Sequence, residues 1–235
     1  MEQSQIFEII QWASLQSNCK DAHCIINKLM NNRDYKNFGR EQYYHIFNRG
    51  NRKADIFIDN SDYQFFLLRL KQNLFPEEDK KVRLRPLPVN SFSLISYCLM
   101  PNHFHFLIRQ NSDIPTSKLL SKICTSYSKY FNKKYDQVGQ VFQDQFKQVA
   151  VDINEYLLWL SAYIHQNPKV AGLTKNLDSY VWSSYPEFVR GDNYGFCEKN
   201  IILDQFKNGS DFVNFVESSF EIIKNKKDLE HLLLD

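Results

Sequence analysis

Between Phe92 and Ile108 two strand-like runs follow one another with only a short interruption, Met100-Pro101-Asn102. Phe92–Leu99 and His103–Ile108 have strand composition, and a proline beside an asparagine is turn chemistry. Strands joined so closely must lie side by side and antiparallel. Helical patterns flank this hairpin. Asp59-Asn60-Ser61-Asp62 offers caps for an apolar-periodic segment from Tyr63 to Leu74, and Pro115–Tyr135 is a long helix. Outside these lie a strand at Tyr43–Phe47, ended by Asn48-Arg49-Gly50-Asn51, and a fourth at Gln140–Val151. A further helix over Ile153–Gln166 is expected to stop at Asn167-Pro168, because a proline disfavours helical geometry in the residue before it. The order strand–helix–strand–strand–helix–strand predicts an α+β, ferredoxin-like (RRM-like) antiparallel sheet with packed helices.

Three regions are expected: a helical N-terminal extension over 1–40, a central domain over 41–190 and a helical C-terminal extension over 191–235. With 43% hydrophobic residues and 19 Phe and 13 Tyr in 235 positions, a sizeable core is available. Seven glycines and seven prolines speak against widespread disorder. No run of about eighteen apolar residues occurs, so no membrane span is expected. Met1–Gln5 lacks the basic start of a signal peptide. The five cysteines contain no CxxC pair, which argues for free thiols in a reducing cytosol. Cys19, His23 and Cys24 lie together, but no second ligand pair follows at zinc-finger spacing. A net charge of +2 does not announce a nucleic-acid partner, so basic residues must act by placement.

Side chains alternate across a strand, so His103 and His105 face one side and Phe104 and Phe106 the other. Two imidazoles at this spacing can share a divalent cation, and they can equally be two histidines on a half-exposed sheet. Tyr163 and Asn167, four apart on a helix, are neighbours on one face. They can supply a phenol and an amide oxygen, or be a core tyrosine and a helix stop. At about 100° per residue, Lys118, Lys122, Lys129 and Lys133 fall within roughly 60° of one another, opposite Leu119, Leu120, Ile123 and Tyr127. Such a stripe is either a solvated face or a phosphate track. Arg49, Arg52 and Lys53 form a second basic group, and Lys80, Lys81, Arg83 and Arg85 a third, offset by Glu77, Glu78 and Asp79.

Several runs together resemble the REP-associated tyrosine transposases, within the single-tyrosine HUH superfamily. They are Tyr44-His45-Ile46-Phe47-Asn48-Arg49-Gly50-Asn51-Arg52, Leu99-Met100-Pro101-Asn102-His103-Phe104-His105-Phe106-Leu107-Ile108, Gly139 to Lys147, Tyr163 to Leu173, and Trp182-Ser183-Ser184-Tyr185. Their order and spacing agree over roughly residues 43–190. The resemblance implies an HUH motif on a central strand, with Mg²⁺ or Mn²⁺ held by His103, His105 and Asn167. It also implies Tyr163 as nucleophile, forming a 5′-phosphotyrosine intermediate on single-stranded or hairpin DNA. Tyr156 shares the helix with Tyr163, but Leu160 stands four residues after it, where a metal ligand is needed. DNA contacts are expected from Arg49, Arg52, Lys53, Lys118, Lys122, Lys129, Lys133 and Lys147. The family often has Arg where Gln145 stands. A cytoplasmic, nucleoid-associated monomer or homodimer is expected. The rival readings are a non-cleaving DNA-binding regulator on the same scaffold and a phosphodiesterase that uses water.

Overall fold

The computed structural model describes residues 39–76, 87–190 and 195–225. The expected helix before residue 39, the Cys19–Cys24 cluster and the Lys80–Arg85 group lie outside them.

Four strands form one antiparallel sheet: β1 (Gln42–Arg49), β2 (Phe92–Met100), β3 (His103–Gln110) and β4 (Lys147–Val151), in the spatial order β2-β3-β1-β4. Helix α1 (Asn60–Leu74) follows β1, and α2 (Thr116–Lys134) follows β3. Helix α3 (Asn154–Val170) follows β4. This is the α+β, ferredoxin-like arrangement expected from the element order, with β3 paired on both sides. Asp59 starts α1 with a reciprocal capping box to Asp62, so the polar run before Tyr63 acts as its residue types dictate.

The pleat divides the sheet into two chemically different faces. Tyr44 and Ile46 of β1 join Phe104, Phe106 and Ile108 of β3 in a core with Phe66, Leu67 and Leu70 of α1 and Leu119, Leu120, Ile123 and Tyr127 of α2. The other face carries Leu107, Cys98, Met100 and Val151, which pack with Leu157, Leu158, Leu160 and Ile164 of α3. Each large aromatic or aliphatic residue deeply buried in these layers contributes about 1.5–3 kcal/mol. Helices α1 and α2 therefore lie on one side of the sheet and α3 on the other.

Two boundaries differ from expectation. Helix α3 does not stop at Asn167-Pro168 but continues through them to Val170. Pro168 lacks the N–H for one helical bond, yet Ile164 through Pro168 are buried and the Gln166 amide donates to the Val216 carbonyl at 2.7 Å. Tertiary packing outweighs the local preference here. Strand β4 begins at Lys147, not Gln140. The preceding residues run irregularly beside β1, held by Asn51 N–H to Val141 O at 2.9 Å and Gln143 N–H to Arg49 O at 2.9 Å.

Beyond α3 come α4 (Tyr185–Arg190), α5 (Asn200–Leu203) and α6 (Gly209–Ser218). Phe212, Phe215 and Val216 of α6 share the α3 core, so this part of the chain is packed into the domain. The outer edge of β2 is also covered: Leu99 N–H donates to Trp182 O and Glu198 N–H to Leu94 O. Pairing an edge in this way blocks unwanted strand addition.

Candidate active site

Register fixes what can meet on the α3 side of the sheet. Phe47 of β1 is paired with His105, and Arg49 with His103. On its other side Phe47 is paired with Lys147 and His45 with Val149 of β4. Directly opposed residues point to the same face. His45, Phe47, Arg49, His103, His105 and Lys147 therefore share it.

The two rings of β3 stand perpendicular, with centroids 5.1 Å apart at 89°. His105 is buried, and its Nδ1 lies 3.0 Å from Nε2 of His45, also buried. Burial alone lowers the His45 pKa to about 3, so this ring is neutral at ordinary pH. His103 is half-buried, and its Nδ1 lies 2.6 Å from Asn102 Oδ1. An acceptor facing Nδ1 places the ring proton there and makes Nε2 the basic nitrogen.

Helix α3 brings Tyr163 over this group from the same chain. Its ring meets His105 edge-on at 5.6 Å and 83°, and His45 at 6.2 Å and 80°. One turn later, Asn167 is fully buried and donates from Nδ2 to the Tyr163 carbonyl at 2.8 Å. That bond turns Nδ2 toward the helix, and the amide oxygen at the opposite end is of a type that can bind a cation. Among the described residues no cluster of three or more His, Cys, Asp or Glu side chains is arranged to hold a metal. A cation here would rest on the two imidazoles of β3 and the Asn167 amide. These donor types can hold a divalent cation: each β3 imidazole has Nδ1 in a hydrogen bond, and the amide carbonyl oxygen is a donor type that suits Mg²⁺ or Mn²⁺.

Residues 40–167, more than half of the 235-residue chain, match the family described as Transposase IS200 like. The chain belongs to the IS200-like transposase family. Among solved structures, that of a REP-associated tyrosine transposase bound to a REP hairpin aligns over 67% of this chain and 86% of that one, at 18% identity and a TM-score of 0.49. No curated protein matches the sequence.

The basic residues of this transposase divide between the two sides of the sheet. Arg49 and Lys147 are exposed on the histidine side, with Lys147 Nζ 6.0 Å from the Phe47 ring centroid. Arg49 Nε donates to Gln143 Oε1. Arg52 and Lys53 sit in the turn after β1, both exposed and both with positive φ, 55° and 60°. This turn is tied to the hairpin by Gly50 N–H to Asn102 O at 2.7 Å. Gly50 is required there because an added Cβ would lie 2.0 Å from the Ala54 carbonyl oxygen. The Lys118–Lys133 stripe is on α2, beyond the opposite face. Lys118, Lys129 and Lys133 are exposed and Lys122 half-buried. The sheet separates this stripe from Tyr163.

His45 and Phe47 are the neighbours that sequence reasoning did not single out. The available signal was parity: His45 interrupts the apolar pair Tyr44 and Ile46 and so falls on the opposite face. Only the register between β1 and β3 reveals that this is the face of His105. Membership in a transposase family gives the chain a DNA-processing role of the transposase type.

Proposed function

We propose that the protein is a metal-dependent single-strand DNA endonuclease and strand transferase that cleaves hairpin-associated DNA through a 5′-phosphotyrosine intermediate. The observation carrying this reading is the placement of Tyr163 edge-on to His105 within one chain, 5.6 Å between ring centroids. A phenol beside a pair of metal-compatible imidazoles suits transesterification at a phosphate.

Mg²⁺ or Mn²⁺ on His103, His105 and Asn167 would supply charge neutralisation at a non-bridging phosphate oxygen. The chain's own residues do the rest. Tyr163 Oη, having lost its proton, forms a bond to phosphorus while the bond to the 3′-oxygen breaks. The departing 3′-oxygen takes up a proton and becomes a free hydroxyl. The 5′-phosphate stays on Tyr163 as a diester, so a 3′-hydroxyl can attack it later and restore the tyrosine without a nucleotide cofactor. Because the tyrosine and the histidines belong to the same chain, a monomer holds the whole set.

Arg49 and Lys147, with Arg52 and Lys53 beyond them, are placed to position the backbone near the scissile phosphate. Half-buried Phe47 between His105 and Lys147 offers a ring on which a neighbouring base can stack. The α2 stripe would meet a second, more distant arm of a folded substrate.

Incubation with single-stranded and hairpin oligonucleotides in Mg²⁺ or Mn²⁺, followed by denaturing electrophoresis, tests the reading. The expected result is a metal-dependent covalent adduct that Tyr163→Phe abolishes. An adduct persisting in Tyr163→Phe removes the assignment. Cleavage without adduct favours a water-using phosphodiesterase, and tight binding without cleavage favours a non-cleaving regulator.

A further inference from the structure

We propose that His45 is a positioning residue that fixes the tautomer and orientation of His105, accepting the His105 Nδ1–H on its own Nε2 and so presenting His105 Nε2 to a divalent cation. This inference rests on the proposed metal-dependent reading of the same site.

Three observations carry it. Nε2 of His45 and Nδ1 of His105 are 3.0 Å apart, a full hydrogen bond between ring nitrogens. The rings are close to parallel, with centroids 5.2 Å apart at 21°. Both residues are buried, His45 at 8% exposure and His105 at 6%, so competition from bulk water is small. Phe47, the direct strand partner of His105, lies on the other side of the contact, 4.8 Å from His45 and 5.7 Å from His105 between centroids. Tyr163 closes it from above. His45 is held in one place by neighbours on several sides.

Two arrangements of the shared proton are possible in principle. If His45 donates, His105 carries its proton on Nε2, and that nitrogen has no lone pair for a metal. If His105 donates, its Nε2 is a ligand. The second is the one compatible with ligation, and it matches His103, whose Nδ1 faces a carbonyl oxygen of Asn102. Both β3 imidazoles then use Nδ1 for orientation and Nε2 for chemistry. Ligand histidines held through their second nitrogen in this way gain basicity and a fixed ring plane. The unusual feature is the acceptor, which here is a buried imidazole in place of a carboxylate. It orients His105 without adding negative charge, so the site keeps its attraction for a phosphate.

The test has two arms. Nitrogen-15 NMR of histidine-labelled, metal-free protein reads the tautomer directly, and the expected signals place the His105 proton on Nδ1. Titration with Mn²⁺, followed by the EPR signal of the free ion, reads affinity in the absence of DNA. His45→Phe keeps a ring but removes the acceptor, and weakens Mn²⁺ binding by about 10- to 100-fold. His45→Gln places an amide oxygen near the lost Nε2 and restores most of the affinity. A His105 proton found on Nε2, or wild-type Mn²⁺ affinity in a folded His45→Phe, overturns the proposal and leaves the metal site standing. Absence of Mn²⁺ binding in the wild-type protein removes both readings at once. If His45→Phe does not fold, the NMR arm on the wild-type chain still decides the direction of the bond.

Discussion

Tyr163 and His105 meet edge to face, 5.6 Å apart between centroids, although they are separated by 58 positions in the chain. Helix α3 must cross the strand that bears His105 for this to happen, and the packing of Leu107 and Met100 against Ile164 and Leu160 holds it there. From that relationship the reactivity of two tyrosines on one helix can be separated. Tyr156, two turns earlier, has its pKa pushed up to about 12 by burial, with the nearby Asp152 carboxylate adding to the effect. A phenol that retains its proton so strongly is a poor nucleophile. Peptide mapping of the DNA adduct is expected to find Tyr163 alone modified. Tyr156→Phe should cleave within about threefold of wild type, since it loses no transition-state contact. Loss of the adduct in Tyr156→Phe, with the protein folded, would reverse the assignment.

The two groups of lysines should separate by substrate. Lys147 lies on the histidine face, whereas Lys122 and Lys129 lie on α2 across the sheet. With a short single strand, Lys147→Ala is expected to reduce the slope of log K against log salt by about 0.7, the value for one released contact. The double variant Lys122→Ala with Lys129→Ala should leave that slope unchanged for the short strand. With a hairpin long enough to reach α2, the double variant should flatten it by about one unit or more. No change with either substrate would identify the stripe as a solvated face.

Much of the fold is legible in the residues. The caps at Asp59 and Asp62, the turn at Pro101-Asn102 and the alternation through His103–Ile108 are local signals, and local interactions suffice to place those elements. Where the outcome depends on distant packing, local reading fails. Pro168 looks like a helix stop until the buried turn before it and the Gln166–Val216 bond are known. The position of the α2 stripe has the same character. Helical periodicity says that the lysines share a face, but only the crossing of α2 on the sheet says which side of the molecule that face occupies. His45 is hidden for a second reason: its meaning lies in a pairing register, which no single strand encodes.

The join between α1 and α2 is a stability determinant. The Asp62 side chain is buried and accepts from the Ile58 N–H at 2.8 Å, from the Tyr135 hydroxyl at 2.7 Å and from Lys134 Nζ at 2.8 Å. Burial by itself would raise the Asp62 pKa, but the Lys134 and Tyr135 hydrogen bonds hold it below the usual value. Lys134→Met leaves this buried carboxylate without its cation and is expected to cost about 1–2 kcal/mol in urea unfolding, less than a fully buried pair because Lys134 is exposed and Asp62 keeps its other hydrogen bonds. Asp62→Asn paired with Lys134→Met should recover part of the loss, because the stranded charge is gone. Equal unfolding midpoints for wild type and Lys134→Met would show the ion pair to be dispensable.

Acid should destabilise the protein through a second buried histidine. His165 on α3 is fully buried, with Nε2 2.8 Å from Ser184 Oγ and no hydrogen-bond partner for Nδ1 among the described residues. Burial lowers its pKa to about 3, while the unfolded chain titrates near 6.5. Between those values the unfolded state binds the proton and the native state does not. The stabilising contribution is therefore complete above pH of about 6.5 and is lost as pH falls toward 3, at up to about 1.4 kcal/mol per pH unit. Asp59 and Asp62, whose values are depressed, contribute only below the ordinary carboxylate range near 3.9. His45, lowered by burial in the same way, and Glu187, raised by burial, also contribute between about 6.5 and 4.5, so the difference between wild type and a His165 variant is what isolates His165. Urea unfolding of the metal-free protein at pH 7 and pH 4.5 is expected to show a loss to which this residue contributes about 2–3 kcal/mol, read as the difference from a His165 variant. His165→Gln should be less stable at pH 7 but lose correspondingly less on acidification. Parallel pH profiles for the two proteins would mean that His165 takes up its proton without unfolding the helix that carries Tyr163.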